Sequence, residues 1–215
     1  MKDNYMSVWN DLHKEFRQNT NNILNYDNWL EQFNNIIDGV NTEIVDLGCG
    51  VTGNNTLYLI ERNKKVVSCD FAEEALKLIK EKIPNSKTLL FDMTNGLPFD
   101  DLSKELVIAD LSLHYFDDKT TKKIISEINR ILIPGGYLMM RVNSTNSAEF
   151  NKIIANKTNP IERHLYFTKN MEKRFFDKED IENYFKEWSI EYMNEQNMNR
   201  WSKNKIIWKC LIKKQ

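Results

Sequence analysis

Ile44-Val45-Asp46-Leu47-Gly48-Cys49-Gly50-Val51-Thr52-Gly53-Asn54-Asn55-Thr56-Leu57-Tyr58-Leu59 reads as a short buried strand, a glycine-rich turn and the start of a helix. Glycine lets the backbone pass close to a ligand with no Cβ in the way, and the free N–H groups at the head of the helix favour an anionic group. That combination grips nucleotide-type cofactors. It also occurs as a plain tight connection, so the residues around it decide.

Outward from this turn the chain alternates. Apolar runs at 43–47, 65–70, 87–91, 105–109 and 136–142 read as strands, and helical spacing at 54–63, 72–83 and 119–132 separates them. Short apolar strands divided by helices imply an α/β fold with a parallel sheet covered on both faces. Ile133-Pro134-Gly135-Gly136 stops the last of these helices and turns the chain into a strand. Two helices, at 6–17 and 27–37, precede the first strand. Residues 143–174 are polar and lack a clean period, which predicts an irregular insertion. A helix at 178–188 and two strands at 189–194 and 205–213, paired antiparallel, finish the chain. We read residues 1–215 as one domain, with a helical cap at 1–40 and the insertion, at 143–176, near the substrate site.

Asp70 lies 20 positions beyond Gly50, where the next strand ends, and an acidic side chain there can accept from both hydroxyls of a ribose. It also fits a capping box with Glu73 for the following helix. Asp92 closes the third strand; it can accept from an adenine amino group between Phe71 and Met93, or make an Asx turn leading to Gly96.

Composition excludes several classes. Lys+Arg 30 against Asp+Glu 31 leaves a net charge of −1, which calls for neither a nucleic acid nor a membrane as partner. No run has the length of a membrane span or the form of a signal peptide, so a cytoplasmic protein is expected. Three cysteines with no CxxC pair argue against a disulfide framework or a zinc site, and no metal is expected. The lysines at 203, 205, 209, 213 and 214 read as the solvent face of a strand.

Val45-Asp46-Leu47-Gly48-Cys49-Gly50, Cys69-Asp70-Phe71, Phe91-Asp92-Met93 with Leu97-Pro98-Phe99, Ala109-Asp110-Leu111-Ser112-Leu113-His114-Tyr115-Phe116 and Ile131-Leu132-Ile133-Pro134-Gly135-Gly136-Tyr137 fall in a telling order and spacing. Over residues 40–145 this set resembles the class I S-adenosylmethionine-dependent methyltransferases. Asn55-Thr56-Leu57-Tyr58-Leu59 is most like their small-molecule branch, including tellurite- and thiopurine-type enzymes. The resemblance implies a Rossmann-like sheet of seven strands with an antiparallel C-terminal hairpin, S-adenosylmethionine as cofactor and a small-molecule acceptor. It implies Gly48 and Gly50 at the methionine end, Asp70 at the ribose, Asp92 and Met93 at the adenine, and Asp110 with Leu111 near the reacting end. Asp46, Cys49, Asn55, Thr56 and Phe71 complete the implied cofactor set. One departure stands out: family loops read Gly-x-Gly-x-Gly, whereas Val51 is inserted here.

Gly48-x-Gly50-x-x-Gly53 is also the dinucleotide fingerprint, so an NAD(P)-dependent oxidoreductase stays an alternative, as does a non-catalytic S-adenosylmethionine-binding protein. On the acceptor side, His114 is a candidate general base at a central strand end, or a packed core histidine. Tyr5 and Trp9 in the leading helix, Tyr115, Arg141 and Asn143 at strand ends, and Tyr166 and Arg174 in the insertion are candidate substrate contacts. Arg141 and Arg174 could bind a carboxylate or phosphate.

Overall fold

The computed structural model of the chain describes residues 2–19, 27–198 and 205–215, with side chains in the first segment at 7–15. Helix α1 covers Lys2–Asn19. The helix expected over 27–37 begins later, as a 3-10 turn at Glu31–Phe33 followed by α2 (Asn34–Gly39). Strand β1 (Ile44–Leu47), helix α3 (Asn54–Glu61), β2 (Val66–Asp70), α4 (Glu73–Lys82), β3 (Lys87–Leu90), β4 (Lys104–Asp110), α5 (Asp118–Ile131) and β5 (Leu132–Asn143) form the expected alternation. The supposedly irregular insertion instead holds α6 (Ala148–Ala155) and a separate antiparallel pair, β6 (Leu165–Thr168) and β7 (Met171–Arg174). Helix α7 (Lys178–Tyr184), β8 (Trp188–Met198) and β9 (Lys205–Lys214) complete it.

Among the described residues the main sheet has seven strands in the order β3-β2-β1-β4-β5-β9-β8. The first five run parallel, and β9 pairs antiparallel with both β5 and β8. Every residue of β1 and β2 is buried, as a parallel sheet with helices on both faces requires. One face packs Val45, Val67, Val107 and Met140 under Ile124, Ile125, Ile128 and Ile131 of α5. Each buried isoleucine contributes about 1.5–3 kcal/mol, so this stripe outweighs the roughly 1 kcal/mol of the Asp117 N-cap in holding α5. The other face packs Ile44, Ile108 and Met139 under Trp29, Leu30, Phe33, Ile37 and Leu59.

Strand β5 starts at Leu132, before Pro134, rather than at Gly136. The register shifts between Lys104 and Leu106, and Gly135 takes φ +78° in the extra loop. A Cβ on Gly136 would lie 3.0 Å from the Ile133 carbonyl oxygen, so glycine is what lets the loop close. Strand β8 is longer than expected and bulges between Ile190 and Tyr192. The lysine stripe is not a solvent face. Lys209 is buried with its Nζ donating to Gln32 Oε1 at 2.6 Å, and Lys213 stands over the Tyr137 ring; Lys203 lies outside the described residues.

Parallel strands bring their carboxyl ends to one edge. The glycine turn follows β1, Asp70 closes β2, Asp92 follows β3, Leu111–Phe116 follow β4 and Asn143 closes β5. Helix α1 lies against α4 over part of that edge, with Trp9 packed on Val51, Ala72, Ala75 and Leu78. Among the described residues no helix is long and apolar enough to cross a membrane.

Candidate functional site

The glycine turn is shaped by three left-handed residues, Gly48 (φ +73°), Gly50 (φ +59°) and Gly53 (φ +64°). Their reasons differ. A Cβ on Gly48 would sit 2.4 Å from Ser112 Cβ, and one on Gly53 would sit 2.8 Å from Ile79 Cδ1; at Gly50 no atom comes within 4 Å of that position. Gly48 and Gly53 are therefore packing glycines, whereas Gly50 turns its bare backbone to open space. The inserted Val51 is buried against α4 and Trp9, so the extra residue bulges into the core rather than into the mouth. The Gly48 and Cys49 N–H groups both donate to the Cys69 carbonyl, at 2.8 and 2.9 Å. Burial, with Asp70 and Asp46 nearby, pushes the Cys49 thiol far up, which keeps it protonated.

Asp70 reaches back to this turn. Its Oδ2 accepts from the Gly50 N–H and its Oδ1 from the Ala72 N–H, both at 2.9 Å. The capping box with Glu73 is not formed; Ala72 is the N-cap, with no side-chain bond. Burial pushes the Asp70 carboxyl up, and the backbone donors Ala72, Gly50 and Phe71 oppose that. The two carboxylate oxygens accept about four hydrogen bonds between them, so with three backbone donors engaged Asp70 keeps capacity for a ribose hydroxyl. The residues present thus fit a nucleoside cofactor.

Asp46, Asn55 and Thr56 lie under the turn rather than in the mouth. Asp46 Oδ1 accepts from Asn55 Nδ2 at 3.1 Å and Oδ2 from Thr56 Oγ1 at 2.9 Å, while Asn55 Oδ1 accepts from Trp29 Nε1 at 2.9 Å. All three are buried, and they lock α3 to β1; a direct cofactor contact through their side chains is not what the geometry shows. Asp92 Oδ1 makes the Asx turn, accepting from the Thr94 N–H at 2.8 Å. Met93 Cε lies 3.4 Å from where a Cβ on Gly48 would stand, and Phe71, next to Asp70, is half-buried. Leu111 takes φ +58°, uncommon for a leucine, and its N–H donates to the Arg141 carbonyl at 2.9 Å.

Arg141 is not at the acceptor mouth. Its guanidinium is buried, grips Asp110 through Nε and one Nη at 2.7 Å each, reaches Asp27 at 2.8 Å and stacks 4.5 Å from the Trp29 ring centroid. Asp110 is held in the same fork. Arg174 is drawn outward by Glu162 at 2.6 Å and by the Arg163 carbonyl at 2.9 Å, and lines an outer groove of about 700 Å³. Tyr166 belongs to the small core of the insertion with Ile153 and Phe175. The side chain of Tyr5 lies outside the described residues.

The residues that do gather are His114, Tyr115 and Trp9, and the Asn143 backbone is tied to the same 174–176 segment as that of His114. Trp9 meets the Tyr115 ring edge-on at 5.1 Å, and His114 packs on Tyr115 at 4.2 Å. Burial pushes the Tyr115 phenol up, with Glu149 adding to it. His114 is wholly buried with both ring nitrogens unpartnered, and Asn143 is buried with both amide atoms unpartnered. Burial, then Lys205 and Lys173, hold the His114 imidazole well below the usual range, with Asp110 opposing. It is neutral at physiological pH and a weak base.

Lys205 was missed by reading the lysines as a solvent face. The signal was there: Ile206, Ile207, Trp208, Cys210, Leu211 and Ile212 place apolar residues on both faces of β9, so its lysines cannot all face water. Away from the mouth, His164, Asp177 and Asp180 cluster at the start of α7, where Asp177 and Asp180 form a capping box and Arg163 pairs with both.

Residues 45–140 match a family model described as a methyltransferase domain. A trans-aconitate 2-methyltransferase of Variovorax paradoxus is 33% identical over 101 residues, covering 46% of this chain and 38% of that protein. A tRNA N(3)-methylcytidine methyltransferase of Drosophila melanogaster is 28% identical over 109 residues, covering 46% and 33%. The chain spans about half, or less, of the length of the curated relatives it matches. Among solved structures, an S-adenosylmethionine-dependent methyltransferase of Methanosarcina mazei superposes with a TM-score of 0.74 over 87% of this chain and 98% of its own, at 18% identity, which shows a shared fold.

Proposed function

We propose that this chain, whose residues 45–140 form a class I S-adenosylmethionine-dependent methyltransferase domain, transfers the methyl group of that cofactor to a small molecule. The observation that carries the reading is Asp70, closing β2 with a carboxylate that grips the Gly50 N–H and keeps acceptor capacity over the mouth. An antiparallel β9 beside β5, where a dinucleotide enzyme continues with a second parallel half, disfavours the oxidoreductase alternative.

S-adenosylmethionine supplies a methyl group already activated on a sulfonium, so the chain contributes binding, alignment and exclusion of water. In this reading Asp70 accepts from the ribose hydroxyls. The bare backbone at Gly50 lies along the methionine end, with Gly48 shaping the turn. Phe71, Asp92 and Met93 enclose the adenine, and Leu111 borders the reacting end. Asp46, Asn55 and Thr56 hold the turn from beneath, and the fork from Arg141 to Asp110 holds the end of β4. His114 positions the acceptor instead of taking its proton, because an efficient base has a pKa near the working pH. Trp9 and Tyr115 wall the site from solvent.

A small acceptor is favoured because His114 and Asn143 are enclosed, and because Arg141, Arg174 and Lys209 are tied to internal partners rather than offered to a phosphate backbone. The named relatives act on a small acid and on tRNA, so both acceptors belong in the test. Three buried free thiols, Cys49, Cys69 and Cys210, suit the cytoplasm.

Titration calorimetry should give binding of S-adenosylmethionine and S-adenosylhomocysteine and none of NAD. Transfer of labelled methyl should go to a fraction of small metabolites and not to bulk tRNA. Binding of NAD alone would reverse the assignment, and tight, labelled tRNA would move the acceptor to RNA.

A further inference from the structure

We infer that the acceptor is a small carboxylate, methylated on oxygen, and that His114, Asn143 and Lys205 hold it. This deepens the methyltransferase reading and rests on it. The first observation is the pair of unpartnered side chains, His114 and Asn143, both buried to within 1% of full enclosure. Polar groups in such places are nearly always hydrogen-bonded, so the few that are not point to a missing partner. The backbone brings these two together: the His114 carbonyl accepts from the Arg174 N–H and the Asn143 carbonyl from the Phe176 N–H, both at 2.8 Å, so one short segment is stitched to both.

Charge chooses the partner. Asn143 stands opposite Ile207 in β9, and Lys205, two residues along, shares that face of the strand. Around His114 the charged groups are Lys205, Lys173 and Asp110; around Lys205 they are Lys173, Glu149, Asp110 and Arg141. Glu149 is paired with Lys173 at 2.9 Å and Asp110 with Arg141 at 2.7 Å, whereas no ion pair engages Lys205 among the described residues. Arg141 is paired with Asp27 as well, so Lys205 is the cation here without an ion-pair partner among the described residues, on the Asn143 face of the sheet and within electrostatic reach of His114. An anion with two planar acceptor oxygens matches an ammonium, an Asn N–H and an imidazole N–H.

A carboxylate also removes the need for a base, which a neutral, buried His114 supplies poorly. One carboxylate oxygen forms the new O–CH3 bond while the S–CH3 bond breaks and its electron pair goes to sulfur. The products are a methyl ester and a neutral thioether, and no proton moves. Burial, with Lys173 and Arg141, brings the Lys205 ammonium down to about 8, with Glu149 and Asp110 opposing, so its charge is present at neutral pH and lost just above it.

The test uses the full chain saturated with S-adenosylhomocysteine, titrated with a panel of aliphatic and aromatic mono- and dicarboxylates, each beside its uncharged amide. Carboxylates should bind at least tenfold more tightly than their amides, and the difference should shrink as pH passes about 8. Lys205→Met and Asn143→Leu should each weaken carboxylate binding tenfold or more with cofactor affinity unchanged, and Lys205→Arg should restore part of it. Methyl label moved to the acceptor should leave as methanol in alkali. Equal binding of carboxylates and amides, alkali-stable label, or variants with unaltered carboxylate affinity would each overturn the inference while cofactor binding stands. Failure of the wild-type chain to bind S-adenosylhomocysteine would instead remove the underlying methyltransferase reading, and the inference with it.

Discussion

Gly48 shows how little freedom the mouth has at the level of single residues. A Cβ there meets Ser112 Cβ at 2.4 Å, on a side chain fixed by its own Oγ donating to the Leu47 carbonyl at 2.7 Å. Gly48→Ala should cost about 2–5 kcal/mol, adding a left-handed backbone to an overpacked contact, readable as a drop in denaturant midpoint. Asp70→Ala acts differently. It removes one or two hydrogen bonds to a charged group, roughly 1.5–3 kcal/mol each, so cofactor affinity should fall about tenfold or more; unchanged affinity in a folded variant would reduce Asp70 to a brace for the turn. Asn143→Leu should go the other way in the free protein. Deleting an unpaired buried amide relieves about 1–3 kcal/mol, so the melting temperature should rise even as acceptor binding is lost. A core role for Asn143 predicts the opposite sign.

Among the elements, α1 is the one whose docking should respond to conditions. Its Trp9 packs on the glycine turn and α4, and burial brings His13 down to about 4, with Glu74 opposing. The folded value lies below the unfolded 6.5, so docking is fully favourable above that pH and weakens as pH falls from 6.5 towards 4, by at most roughly 3 kcal/mol. The Trp9 indole NMR signal should shift across that window, and His13→Leu should abolish the shift. At neutral pH, added S-adenosylhomocysteine should raise amide protection from residue 7 to 15; equal protection with and without it would make α1 a permanent wall. The alternation from β1 to β5 was legible because each strand is a short apolar run and each helix carries an apolar stripe. The segment at 143–176 was not, because its core is four scattered residues, Phe150, Ile153, Tyr166 and Phe175, which only pair once the β6–β7 hairpin folds back on α6. Arg141 misled for a related reason: a lone arginine at a strand end gives no hint that Asp27, 114 positions away, completes its fork.

For the molecule as a whole, a ligand bound to the native state alone adds stability by mass action. S-adenosylhomocysteine at about 100 times its dissociation constant contributes roughly 2.7 kcal/mol, or about 5–10 °C in melting temperature for a chain of this size. NAD should leave the midpoint where it is. A rise with NAD and none with S-adenosylhomocysteine would contradict the cofactor assignment at a stroke, independently of any acceptor.

Strand β9 sits between β5 and β8, although β9 follows every other strand along the chain. Until residues 205–214 emerge from the ribosome, β5 presents a bare hydrogen-bonding edge over the seven residues from Tyr137 to Asn143, with apolar Leu138, Met140 and Val142 among them. At about 5–20 residues per second, synthesis from 143 to 205 leaves that edge open for roughly 3–12 s. An unpaired edge is a template for a second chain. Nascent chains stalled near residue 200 should therefore pellet or bind holding chaperones, and chains released from the ribosome with residues 205–214 in place should not.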